Sequence, residues 1–111
     1  MSDETIDKGT WAAFCERLSP ALAEKQAKIQ VESLAVGDQV AADWKPIIGI
    51  SYDEKDDVFS VAVPGLDHVI RGPTSLAVRR SGTAVESLAV RDGQDALHVI
   101  QFRDLVHLPP Q

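Results

Sequence analysis

Residues 47–67 read IIGISYDEKDDVFSVAVPGLD, and the fold turns on this stretch. Ile48, Ile50 and Tyr52 alternate with Gly49 and Ser51, and Phe59, Val61 and Val63 alternate with Ser60 and Ala62. A period of two marks half-buried strands. Both apolar triplets share one face if Tyr52 pairs with Phe59, Ile50 with Val61 and Ile48 with Val63, a pairing that requires an even-numbered loop. A two-residue Lys55-Asp56 turn would need positive φ without Gly or Asn. The expected connection is therefore a four-residue loop, Glu54 to Asp57.

Upstream, Met1 to Gly9 is polar and lacks apolar periodicity, so it is expected to be a flexible N-terminus. Thr10 stands as a helix N-cap, and Trp11, Phe14, Cys15 and Leu18 follow at i, i+3, i+4 and i+7, one stripe to pack on a sheet. Cys15 on that stripe reads as a buried, inert thiol. Ser19-Pro20 is expected to end or kink the helix, with Ser19 capping a second short turn through Lys25. Ala27 to Val36 reads as a strand whose apolar phase slips, which a β-bulge near Ser33 would reconcile. Gly37-Asp38 is a turn, Gln39 to Trp44 a weaker strand, and Pro46 the break before the hairpin.

Downstream, Pro64-Gly65 is a turn and His68 to Arg71 a short extended piece. Gly72-Pro73 is a second break, and Leu76 to Arg80 a strand. Ala84 to Arg91 and Ala96 to Phe102 form a last hairpin across Asp92-Gly93-Gln94-Asp95, with Gly93 as the left-handed residue. VESLAV occurs twice, at Val31 to Val36 and Val85 to Val90, and reads as chance similarity between two bulged strands. The expectation is an α+β domain, an N-terminal helix on a mostly antiparallel, curved or barrel-like sheet of about seven short strands. No segment supplies the helical crossovers of a parallel sheet.

At 111 residues the chain suits a single domain over residues 10–108, with 109–111 as a tail. One cysteine excludes an internal disulfide framework and points to a reducing compartment. The opening MSDETIDKGT has no signal-peptide character and no apolar run approaches a membrane span, so the expected location is cytoplasmic, without membrane association. A net charge of −6 disfavours generic nucleic-acid binding. Yet no acid lies from His68 through Val85, where Arg71, Arg79 and Arg80 fall, with Arg91 soon after.

Candidate chemistry is sparse. Asp53, Glu54, Asp56 and Asp57 crowd one loop around Lys55, an oxygen-rich tip that lacks the EF-hand glycine and distant Glu, and so reads first as a solvated hairpin end and only weakly as a cation site. Asp67 and His68 are adjacent in an extended segment and point to opposite faces, so Asp67 is poorly placed to orient the imidazole. No spacing resembles a zinc site, and no phosphate loop, dinucleotide fingerprint or nucleophile elbow is present, so no cofactor is implied. Trp44 beside Lys45-Pro46 is the aromatic whose burial the pattern leaves open, and an exposed Trp44 would anchor a partner.

GISYDEKDD (Gly49 to Asp57) and GLDHVI (Gly65 to Ile70), with Trp11 and Phe14 on the helix and Pro46 before the hairpin, resemble a family of small bacterial proteins catalogued as a domain of unknown function. The likeness spans Trp11 to Phe102. It implies a bacterial, cytoplasmic, single-domain protein and no particular chemistry. The leading functional expectation is a non-catalytic module, monomer or homodimer, offering a sheet edge or the Trp44 region to another protein. The alternative is a small anion, RNA or nucleotide binder using Arg71, Arg79 and Arg80. A hydrolase or isomerase using Asp53, Asp57 or His68 ranks below both.

Overall fold

Alternation of apolar and polar residues builds two antiparallel sheets around one core. In the computed structural model, which describes residues 2–35 and 37–108, the elements begin with β1 (Ser2–Thr5), a 3₁₀ turn (Lys8–Thr10) and α1 (Trp11–Ala21). There follow β2 (Gln26–Ser33), β3 (Gly37–Pro46), β4 (Gly49–Asp53), β5 (Val58–Val63), β6 (Leu66–Arg71), β7 (Ser75–Ser81), β8 (Ala84–Arg91) and β9 (Leu97–Val106). A six-stranded sheet has the order β1-β7-β8-β9-β2-β3 and a three-stranded sheet the order β4-β5-β6. The inward residues of both (Ile29, Leu76, Leu88 and Ile100 from one, Ile50, Phe59, Val61 and Ile70 from the other) join Trp11, Phe14, Cys15 and Leu18 in one hydrophobic cluster. The larger sheet is not closed into a barrel, because its outer strands β1 and β3 each pair on one side only.

The hairpin register is the one its alternation demands: Tyr52 opposes Phe59 and Ile50 opposes Val61, across the four-residue turn 54–57. Ile48 departs from it. Ile48 is 67% exposed, whereas Ile47 is buried. The Ile47 amide donates to the Lys25 carbonyl (3.0 Å), which ties that residue to the loop after α1, and β4 begins only at Gly49. The intervening non-strand backbone exchanges which of the two isoleucines faces inward.

The helix does not stop at Ser19-Pro20. It runs to Ala21 with Pro20 in its last turn, where only one helical bond is forfeited, and the Leu22 amide closes the end on the Ser19 carbonyl (3.1 Å). Ser19 therefore caps no second turn. Its hydroxyl instead donates to the Ile50 carbonyl (2.7 Å) and accepts from the Ile50 amide (3.0 Å). Both free groups of one residue on the β4 edge are thereby satisfied, and α1 covers an edge that would otherwise offer itself for pairing.

Four further expectations are corrected. The opening segment contains β1, which pairs with β7 through Asp3 opposite Arg79 and Glu4 opposite Val78. A strand of four polar residues has no apolar period to announce it. The bulges of the first hairpin lie in β3, between the pairs Ala27–Lys45, Ile29–Ala42 and Gln30–Val40, not near Ser33. Leu34 is fully exposed in the turn, and Val36 lies outside the described residues. The second VESLAV copy is the bulged one, with Glu86 as the extra residue that lets both Val85 and Leu88 face inward. Finally, the left-handed residue of the last turn is Asp95 (φ +68), not Gly93. A Cβ on Gly93 would lie 3.2 Å from the Gly72 carbonyl, so its glycine serves a close approach of two loops. Ser19→Ala should lower unfolding stability by about 1–2 kcal/mol, since two backbone groups lose their partner. Urea titration checks this, and an unchanged midpoint would refute the edge-capping role.

Candidate functional site

Register determines what the uncovered face of the six-stranded sheet displays. One level across the strands reads Thr5–Ala77–Ala89–Val99–Gln30–Val40. No member of this row is charged. A solvated antiparallel face ordinarily carries polar and charged side chains, so a small, largely apolar row through all six strands is unusual. The flanking levels carry the charge: Asp3, Arg79 and Lys28 on one side, Arg91, Glu32 and Asp38 on the other. A groove of about 320 Å³ follows the row, lined by Ala77, Ala89, Val99 and Leu97 with Asp3, Glu32 and Arg79.

Trp44 belongs to this face. The double bulge of β3 leaves it at φ +52, a conformation that bulky residues rarely adopt and that surrounding contacts must hold. Half-buried, it lines a second hollow of about 180 Å³ with Arg79, Glu86, Ser87 and Gln101. The Arg103 guanidinium lies 4.9 Å from its ring centroid while donating to Gln26 Oε1 (3.1 Å).

The arginines do not gather into one patch. Arg79 and Arg80 point to opposite faces of β7, and Arg71 lies on β6 in the other sheet. Arg79 pairs with Asp3 (3.0 Å) and Arg80 with Glu4 (3.0 Å), while Arg91 reaches Asp95 (3.4 Å). Bonded first by Arg79, the Asp3 carboxyl sits below its usual range.

The acidic loop also divides. Asp53 Oδ1 accepts from the amides of Lys55 (2.9 Å) and Asp56 (3.3 Å), an Asx-type turn. Asp57 instead accepts from the Tyr52 hydroxyl (2.6 Å) and faces Lys8 Nζ (3.1 Å), and these two bonds hold its carboxyl below the usual range. Glu54 and Asp56 are exposed. Among the described residues no group of three or more His, Cys, Asp and Glu is placed to hold a metal ion.

His68 turns inward, away from Asp67, and meets His98 across the two sheets at 2.9 Å; His98 in turn meets Asp92 Oδ2 at 2.9 Å. Partial burial opposes ionisation of Asp92, but the bonds from His98 and from the amides of Ala96 and Gln94 prevail and hold its carboxyl low. Ionised Asp92 only accepts, so His98 Nε2–H donates to it, and while the His98 ring carries that one proton its Nδ1 accepts from His68 Nε2–H. The chain Asp92–His98–His68 is hidden in the sequence because His68 lies thirty residues from the hairpin that carries Asp92 and His98. One signal was available: His98 is in phase with the inward Ile100 and Phe102, and a buried imidazole requires a partner. Neither histidine lines the two hollows of the outer face.

Comparison with known proteins gives kinship without an activity. The model of a family of unknown function, DUF5335, matches residues 2–111. An uncharacterized protein of Aquifex aeolicus (strain VF5) is 28% identical over 110 residues, covering 98% of this chain and 99% of its own length. No solved structure matches.

Burial first, and the neighbouring His98 second, push the pKa of His68 below the ordinary histidine range, with Asp67 opposing. The folded protein then binds fewer protons than the unfolded chain near pH ~6.5, so this contribution is present above that pH and lost on acidification. The melting temperature should fall between about pH 7.5 and about pH 5, and fall less in His68→Gln. Parallel curves for the two proteins would remove His68 as the source.

Proposed function

The chain belongs to the family of unknown function DUF5335, and we propose for it a non-catalytic, cytoplasmic role as a binding module that presents the outer face of its six-stranded sheet to a partner protein. The uncharged row Thr5–Ala77–Ala89–Val99–Gln30–Val40 carries this reading. Such a row, rimmed by charge and lying under an open groove, has the composition of an interface centre with a polar margin. Trp44 at its border is the kind of large, rigid side chain that dominates binding energy.

Three of the four sheet edges, all but β6, disfavour strand addition. The β4 edge is covered by α1 through Ser19. The open edge of β3 is bulged twice and interrupted by the left-handed Trp44, and the β1 edge is four residues long. Each is a recognised obstacle to pairing with a foreign strand. No helix among the described residues is long and apolar enough to cross a membrane.

Ala89→Glu places a charge in the middle of the row and leaves the core side of β8 untouched. Tagged protein held at native abundance and treated with nuclease should retain a stoichiometric protein partner, and Ala89→Glu should lose it with little change in melting temperature. Equal recovery by both proteins would contradict the reading.

A further inference from the structure

Two features of the hollow beside Trp44 point to the same kind of ligand. Glu86 Oε2 is buried and makes no hydrogen bond among the described residues. An acceptor kept from water without a donor is unfavourable, and a carboxylate oxygen the more so. Glu86 is the extra residue of the β8 bulge, and the bulge brings its side chain and that of Ser87 to the wall of one hollow. The same hollow is bounded by Trp44, whose strained backbone holds the indole there. Arg79 also lines it, yet directs Nε and Nη2 to Asp3 (3.0 and 3.4 Å) and leaves Glu86 without a donor.

We propose that this hollow receives the cationic head of an arginine or lysine side chain of the partner, with the Glu86 carboxylate accepting its hydrogen bond and the Trp44 indole packing against it. The inference rests on the outer face being the docking surface and specifies the anchor taken there. A volume of about 180 Å³ suits a guanidinium or ammonium head; it falls short of the ~300–1,000 Å³ of whole-ligand pockets. The indole already carries a guanidinium, that of Arg103 at 4.9 Å, which is not among the residues lining the hollow. A carboxylate acceptor selects a charged donor over a neutral one, since charge-assisted bonds are roughly twice as strong. The net charge of −6 also favours approach of a basic partner segment.

The probe is N-acetyl-arginine amide, titrated into the full chain and followed by indole fluorescence and by amide shifts of Glu86, Ser87 and Gln101. N-acetyl-citrulline amide, of the same shape without the charge, is the control. Saturable binding in the millimolar range is expected, weakened at least roughly tenfold in Glu86→Gln and for citrulline. Trp44→Leu, independent of the carboxylate, should weaken the arginine probe as well. Equal binding of citrulline, indifference to both substitutions, or the absence of saturation overturns the proposal. If the arginine probe fails while Ala89→Glu still abolishes partner capture, the cationic anchor is wrong and the outer-face reading stands. If the probe fails and Ala89→Glu has no effect either, both fall.

Discussion

Neighbouring strands lie about 4.8 Å apart, so three strands roof only about half the width of six. The larger sheet nevertheless buries its inner face from Leu76 and Val78 on β7 to Ala27 and Ile29 on β2. The stripe Trp11, Phe14, Cys15 and Leu18 on α1 supplies the rest of the cover. An eleven-residue helix is too short to be stable alone, and its position depends on its ties to the sheets. Trp11 packs edge-on against Tyr52 at 5.1 Å and donates its indole N–H to the Ile6 carbonyl (2.9 Å). Ser19 holds the other end on β4.

Lys8 extends the same logic to the hairpin tip. Its ammonium donates to the Pro73 carbonyl (2.9 Å), faces Asp57 and stands 5.3 Å from the Trp11 ring centroid. The start of α1, the hairpin tip and the loop after β6 thus meet at one side chain. Burial, and then the bond to Asp57, push the Tyr52 phenol up to about 12, so this hydroxyl remains a donor throughout the physiological range. The carboxylates that the sequence crowds into one loop therefore serve to fix the hairpin and its neighbours. The inner and outer faces of the larger sheet differ: mostly apolar within, with His98 buried among aliphatic and aromatic side chains, and a neutral row between charged margins without.

What could be read from the chain and what could not follows from the range of the interactions. The register of Tyr52 with Phe59 was legible because alternation over five residues specifies a face locally. The N-terminal stripe was legible for the same reason, at the helical period. Ile48 was misplaced because a single long-range bond, from Ile47 to Lys25, reset the phase. β1 was invisible because its ion pairs lie on β7, far along the chain. The bulges of β3 depend on a left-handed tryptophan that no propensity anticipates. Arg71, Arg79 and Arg80 looked like a basic segment in one dimension, and the strand period separates them in three. The burial of Trp44 is left open by the pattern and is partial in the structure, whereas the neutral row is invisible until five strand registers are known together.

The order of the larger sheet also has a kinetic side. Its interior joins β9 to β2, with Ala27 opposite Phe102, and its rim joins β1 to β7. Pairings this distant cost loop-closure entropy before they repay it, and they slow folding relative to the consecutive hairpins around them. On the ribosome the β2–β3 hairpin is complete long before β9 is translated. Through that interval the bulged side of β3 is guarded by its own irregularity, while the side of β2 reserved for β9 is bare. That strand edge, silent in the finished protein, is where a nascent chain is most open to mispairing.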